Sequence, residues 1–310
     1  MDASVAHSRP LTAIVLRLGA ALALTTLSML VKLSGEDGVH LAEIIFWRQL
    51  VTLIVIVAFA AATVGLTTLK PVRFKQHAIR SAYGITGMAM VYGAVILLPL
   101  AEATTVNFTT PIFAVLLSML LMKDRIGPYR WTAVALGFIG ILIVAQPGNS
   151  PIDPLGLALG LGGAFMVALI SIQIQDLNKT ESSASIVFWF CLLTVPLLAV
   201  ALPFVGKAHA SDTWLLLLGV GLSGAVGQLL LTNSLRYGSA ATVIVMDYTA
   251  LLWATLYGWQ VFGDLPVPNT WIGAPIIILA GTIIVVREGH LRRKARRSAA
   301  PEEPLAPPAR

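Results

Sequence analysis

The sequence predicts an all-α integral membrane protein of ten transmembrane helices, laid out as two inverted five-helix repeats. Three observations predict it. Of the 310 residues, 57% are hydrophobic and only 12% charged, with a mean hydropathy of +0.83. A soluble domain carries about 25% charged residues to solvate its surface, so the deficit points to lipid as the solvent. Apolar segments of about 18–25 residues, the length that crosses a bilayer as a helix, recur along the chain between short polar or Pro/Gly breaks. The second half also repeats the first: Ile45-Phe46-Trp47-Arg48-Gln49-Leu50 returns as Val187-Phe188-Trp189-Phe190-Cys191-Leu192. An odd number of spans per copy turns the second copy upside down, the plan of many secondary transporters.

The first span, 11–33, follows Arg9 and lacks a clear small-residue cleavage site, so it reads as a retained helix rather than a cleaved signal. Spans 41–63, 77–98, 103–122 and 129–146 complete a first repeat over 1–146. The connector Gln146 to Pro154, rich in Pro and Gly, is the border between the halves. Spans 155–175, 185–205, 213–235, 239–262 and 270–287 form a second repeat over 154–287. Residues 288–310, basic and then Pro- and Ala-rich, read as a disordered cytoplasmic tail.

Lysine and arginine set the orientation. With a cytoplasmic N-terminus, 18 of the 21 basic residues fall on the cytoplasmic side, including Arg17 and Arg80, and two on the outer side. Arg48, the remaining one, lies well within a span. The protein is therefore expected in the cytoplasmic (inner) membrane with both termini in the cytoplasm. The repeat extends to Gly87 and Gly224, to Ala103-Thr104-Thr105-Val106 and Ala240-Ala241-Thr242-Val243, and to Asp124, Trp131 and Asp264, Trp271.

A charge at mid-bilayer costs about 2.5–3.5 kcal/mol on insertion scales, so an ionisable residue deep in a span faces protein or a wet cavity. Arg48 is the first substrate-site candidate, either a cation for an anionic group on a solute or a structural arginine capping carbonyls. Its repeat partner is Phe190, so the charge exists in one half only. Asp247 and Tyr248 are the second candidate: a carboxylate for an amino group or a proton, or one satisfied by hydroxyls. Asn107, in the polar counterpart of that stretch, either bonds a solute or bridges helices. Trp47 and Trp189 either stack on a solute or pack. Glu43, Glu102, Arg17, Arg236 and Asp176 fall near span ends, where snorkelling reaches the interface.

Enzymatic readings lack their parts, and no catalytic residue is expected. Gly221-Leu222-Ser223-Gly224 resembles an intramembrane serine protease motif, but all five histidines fall in predicted loops or tails. Asp247 has no clear second carboxylate for aspartyl chemistry. No phosphate-binding loop occurs. The single cysteine, Cys191, makes no intramolecular disulfide and no cysteine metal cluster. No metal or cofactor is expected. The basic excess is concentrated in the tail, against nucleic acid as a partner; the expected partners are a small-molecule metabolite and the lipid bilayer, with a homodimer compatible with the sequence. The alternative to a carrier is a non-transporting membrane scaffold or sensor.

Several stretches together resemble the EamA branch of the drug/metabolite transporter superfamily: Lys32 with Glu43-Ile44-Ile45-Phe46-Trp47-Arg48, then Leu100 through Pro111, Trp131 through Gly140, and Asp247-Tyr248 with Phe262-Gly263-Asp264-Leu265-Pro266. The resemblance implies ten spans, two repeats, and movement of small metabolites without ATP. The Lys32, Glu43, Phe46, Arg48 pattern is similar to that of S-adenosylmethionine uptake carriers within the family. The solute expected is small and polar or zwitterionic, S-adenosylmethionine-like by this resemblance. Two departures stand out. The family often has Glu where this chain has Asp124 and Asp264. It often has proline near Val245 or Met246, so the kink of the ninth span is placed in doubt.

Overall fold

The computed structural model describes residues 10–63, 65–122, 128–145, 152–177, 179–237 and 245–298. Within them the chain is helical. Helices α1 (Pro10–Glu36), α2 (Leu41–Ala62) and α3 (Phe74–Leu97) are the first three spans. The fourth is split into α4 (Leu100–Asn107) and α5 (Thr110–Met122), and α6 (Pro128–Ala145) is the fifth. The second set runs α7 (Pro154–Leu177), α8 (Ser183–Ala199), a single turn at Leu202–Val205, then α9 (Ser211–Tyr237). Its fourth member is again broken, into a 3₁₀ turn (Val245–Thr249), α10 (Ala250–Tyr257) and a π turn (Gly258–Phe262). The last helix is α11 (Pro268–Ser298), which continues through residues the sequence assigns to the tail. Most of the connector between the halves, 146–151, and the start of the ninth span, 238–244, lie outside the described residues.

Among the described residues four helices are apolar and long enough to cross a membrane by length and composition: Leu11–Glu36, Leu41–Ala62, Pro154–Ile174 and Ser211–Leu231. Shorter apolar helices lie at Val134–Ile143, Ser183–Ala199 and Pro268–Ile283. Side chains such as Leu11, Phe138, Leu197 and Trp271 are exposed. An apolar exterior of this kind is what lipid covers.

Helix packing repeats with the halves exchanged. The first span, α1, packs on the eighth, α9; the sixth, α7, packs on the third, α3. The pair α2 with α9 has its counterpart in α8 with α3. Two further pairs, α2 with α8 and α6 with α11, map onto themselves. Lipid tails are as apolar as leucine, so these contacts depend on close van der Waals approach, which small residues permit. At Gly163 a Cβ would come within 3.1 Å of the Val91 backbone nitrogen, and at Gly140 within 3.1 Å of the Gly273 carbonyl. Backbone therefore lies against backbone at both crossings.

The two breaks have different local causes. Pro111 has no N–H, and its ring excludes the carbonyl four residues back, that of Asn107. The Thr110 hydroxyl takes over, donating to that carbonyl at 2.7 Å, and Thr109 Oγ1 donates to Val106 O at 2.7 Å. In lipid a freed carbonyl needs such a partner. The ninth span has no proline there, yet it breaks at the same place in its repeat. Thr249 Oγ1 donates to Met246 O at 2.6 Å and supports the 3₁₀ turn. The sequence's doubt about the kink falls partly on 238–244, outside the described residues; within them the span starts as a 3₁₀ turn rather than as α-helix. The end of the same span closes at Gly263, whose φ of 71° suits glycine, with Asp264 N donating to Gly258 O at 2.9 Å.

Candidate functional site

Arg48 lies seven residues into α2, about 10 Å along the helix at 1.5 Å per residue. It is 5% exposed. Its Nη1 donates to Gln49 Oε1 at 2.6 Å and approaches Met88 Sδ at 3.7 Å, while Nε has no partner. Gln49 Nε2 donates to Thr194 Oγ1 at 2.7 Å, and Thr194 in turn donates to Phe190 O at 2.7 Å. This chain of amides and hydroxyls ties α2 to α8. Across from Arg48 stands Gly224 of α9, where a Cβ would lie 3.1 Å from the guanidinium Nε.

In the other half α8 meets α3 as α2 meets α9, but at Gly84, one turn before Gly87, the repeat partner of Gly224. Phe190, the repeat partner of Arg48, packs over Gly84 of α3. Arg80, one turn before Gly84, lays its guanidinium on the Phe190 ring, 4.3 Å from the centroid. A Cβ at Gly84 would overlap both the Arg80 Nη1 and the Phe190 ring. Arg80 is 6% exposed, and its Nε and Nη1 are without hydrogen-bond partners. Among the described residues neither Arg48 nor Arg80 forms an ion pair. Counting Arg80 with the cytoplasmic loop charges is therefore corrected. Sequence reasoning missed it because its position near a span end suits snorkelling equally well. The available signal was Gly84, one turn on, which opens room for a folded-back arginine.

Asp247 sits in the 3₁₀ turn and receives both Nε and Nη2 of Arg17 from α1 in a bidentate pair. Arg17 is buried, so its expected snorkelling to the interface is replaced by a bond to the broken span. Tyr248 beside it meets Phe108 of the other break edge to face at 5.1 Å. Its hydroxyl fits the notch above Gly281 and has no well-formed hydrogen bond there. Asn107 stands at the end of α4, with its carbonyl and Oδ1 both facing Thr110 Oγ1. Asn107, Asp247 and Tyr248 are thus gathered where the two breaks meet. Arg48 belongs to a second cluster, with Arg80.

Trp47 and Trp189 lie in two separate aromatic clusters, each beside a His–Glu pair. Trp47 stacks edge-on with Phe46 and Trp214, near His209 Nε2, which is 2.9 Å from Glu43 Oε1. Trp189 packs with Phe74, Phe188 and His77 and donates Nε1 to Leu69 O at 2.8 Å. His77 Nε2 lies 3.1 Å from Glu181 Oε1, close enough for ion pairing without hydrogen-bond alignment. Glu43 is buried with His209. Glu102 is buried at the start of α11, accepting from Val267 N at 2.9 Å and Thr270 Oγ1 at 3.2 Å. Both depart from the expected interfacial placement, because each carboxylate finds a fixed donor inside the fold. The Arg236 side chain lies outside the described residues.

Two carboxylates outside the spans carry a pH prediction. Burial works against the Glu181 carboxylate, but the backbone N–H groups of Arg73 and Val72, each at 2.8 Å, and the facing His77 outweigh it and hold it below the ordinary value. Arg73 and then Lys179 hold Asp176 below its ordinary value. A depressed carboxylate stabilises the fold fully above its unfolded value, about 4, and that stability is lost as pH falls through the lower folded value. Glu181→Gln is expected to flatten the acid limb of the thermal midpoint against pH in detergent. An unchanged acid limb would show that Glu181 is not the group titrating.

Two stretches, 11–146 and 154–287, match the EamA-like transporter family. The chain is 27% identical to a riboflavin transporter of Vibrio cholerae over 297 residues, covering 94% of this chain and 99% of that protein. It is 29% identical to an S-adenosylmethionine uptake transporter of Rickettsia felis over 263 residues, covering 80% of this chain and 84% of the relative. A solved crystal structure at 21% identity shares the fold, with a TM-score of 0.56 over 90% of this chain and 96% of its own.

Proposed function

Because the chain belongs to the EamA-like transporter family, a group of multi-pass carriers of small molecules, we propose that it is a secondary transporter moving a small polar metabolite across the cytoplasmic membrane by alternating access. The observation that carries this reading is the meeting of two broken spans, Phe108 against Tyr248, in a bundle whose core also holds Arg48 without a carboxylate partner. Broken spans at the repeat interface are where carriers of this plan bind solute and bend. The bias of basic residues supports cytoplasmic termini.

In this proposal Arg48 receives the solute's anionic group, and Asn107 and Tyr248 offer polar contacts at the breaks. Asp247 meets a cationic end only in the state where Arg17 lets go. Trp47 and Trp189, in their separate clusters, close the two mouths in turn. S-adenosylmethionine offers a carboxylate for Arg48 and cationic groups for Asp247. Riboflavin offers a planar ring with polar edges.

The test is uptake of radiolabelled S-adenosylmethionine and riboflavin into proteoliposomes. A charge-assisted contact is worth about 1.5–3 kcal/mol, so Arg48→Gln is expected to cut uptake about 10- to 100-fold. Wild-type uptake by Arg48→Gln at an unchanged thermal midpoint removes Arg48 from the site.

A further inference from the structure

Arg48 and Arg80 reach the same face of α3: Arg80 Nη1 lies over Gly84, and Arg48 Nη1 lies 3.7 Å from Met88 Sδ, one turn further on. Both guanidiniums are more than nine-tenths buried, and three of their nitrogens lack a hydrogen-bond partner: Arg48 Nε, Arg80 Nε and Arg80 Nη1. Arginine does not shed its proton under physiological conditions. Two buried, unpaired, mutually repelling cations are costly for any fold. The second half has Phe190 where the first has Arg48, and α3 seats Arg80 on that ring. Gly84 keeps the seat open.

We propose that Arg48 and Arg80 together form the site of a doubly charged oxyanion, the headgroup of a phosphomonoester or a dicarboxylate solute. A neutral solute leaves both charges uncompensated, and a monoanion leaves one. A dianion satisfies both guanidiniums and cancels their repulsion. The Phe190 ring holds the Arg80 plane in place, and Gln49 holds Arg48 at 2.6 Å, so both donors are oriented before the anion arrives. This rests on the carrier reading above, with a dianion in place of the zwitterionic or neutral solutes named there.

The experiment uses the purified full chain in detergent, with phenyl phosphate and succinate as dianions and benzoate as a monoanion. A ligand that binds the folded state raises its midpoint. At least one dianion is expected to raise it more than benzoate, and which one does so tells phosphomonoester from dicarboxylate. Arg80→Gln is expected to weaken dianion binding about tenfold or more and benzoate binding by less than about threefold. The same substitution is expected to raise the midpoint of the unliganded protein, since it removes an uncompensated charge, whereas a structural arginine would lower it. Arg80→Lys is expected to keep the dianion preference.

Equal stabilisation by benzoate and both dianions overturns the proposal. So does an Arg80→Gln protein that is less stable when unliganded and binds dianions as well as wild type. The uptake assay, run with the radiolabelled dianion that raises the midpoint more, separates the two readings. Loss of uptake in Arg48→Gln with wild-type anion preference in Arg80→Gln sinks the two-arginine site alone, while normal uptake in Arg48→Gln sinks the carrier site itself.

Discussion

Asp247→Ala will destabilise the protein by about 1–3 kcal/mol, less than the cost of stripping one partner from a fully buried ion pair, because the Asp247 side chain is 34% exposed and solvent screens the pair. Arg17 is 6% exposed and, among the described residues, has Asp247 as its only ion-pair partner. Its Nη1 is already without a hydrogen bond. Losing the carboxylate leaves a full positive charge in the bundle with nothing to offset it. Adding Arg17→Met to Asp247→Ala is expected to restore most of the loss, because an apolar side chain of similar length asks for no counter-charge. The measurement is a double-mutant cycle on unfolding in mixed micelles, read by thermal midpoint or denaturant. Additive single effects would show that the pair does not act as a unit. The pair also joins α1 to the 3₁₀ turn of the ninth span, so the double variant tests whether the break needs that tie. If the turn relaxes, transport falls while stability recovers.

Gly140→Val will separate α6 from α11. A Cβ at Gly140 would come 2.6 Å from Ile277 Cγ1, 3.1 Å from Gly273 O and 3.2 Å from Ile277 N. Two of these three are backbone atoms, which do not step aside as a side-chain tip does. Ile277 is itself 0% exposed, so its side chain has no room to turn away. Overpacking of this kind costs about 1–3 kcal/mol in well-packed cores. Ile277→Ala in the same background is expected to recover only part of the loss, since the contact with the Gly273 carbonyl remains. Full recovery on trimming Ile277 would show that side-chain crowding alone decides this crossing.

The broad plan was legible in the chain. Hydrophobic length and polar punctuation located the spans, because a bilayer of fixed thickness demands helices of a set length. The second copy was legible because Phe46-Trp47 and Phe188-Trp189 survive as a pair. Boundaries inside the broken spans were less visible. Pro111 announces the first break, and the Asn107 to Thr110 stretch supplies the hydroxyls it needs. Nothing local announces the second, where Val245 and Met246 stand in place of proline. Its 3₁₀ turn is bonded by Thr249 and by Arg17, which is 230 residues away from Asp247 in sequence.

Arg48 and Asp247 were legible as candidates because lipid tolerates few charges, and a deep one stands out by depth alone. What those charges meet was not legible. Arg17, Arg80, Glu43 and Glu102 fall near span ends, where a residue that snorkels and one that turns inward have the same sequence. Which happens depends on what the neighbouring helix presents: Asp247 for Arg17, the Phe190 ring for Arg80, His209 for Glu43, the start of α11 for Glu102.

The sequence by itself determined the membrane class and the doubled, inverted plan. Both follow from solvent and repetition, which are properties of residues in order. Only the tertiary structure decided the partners: a second buried arginine standing on the ring that replaced the first, and a latch from α1 to the ninth span. Side-chain direction near a helix end is set by contacts across helices, and no run of neighbouring residues encodes them.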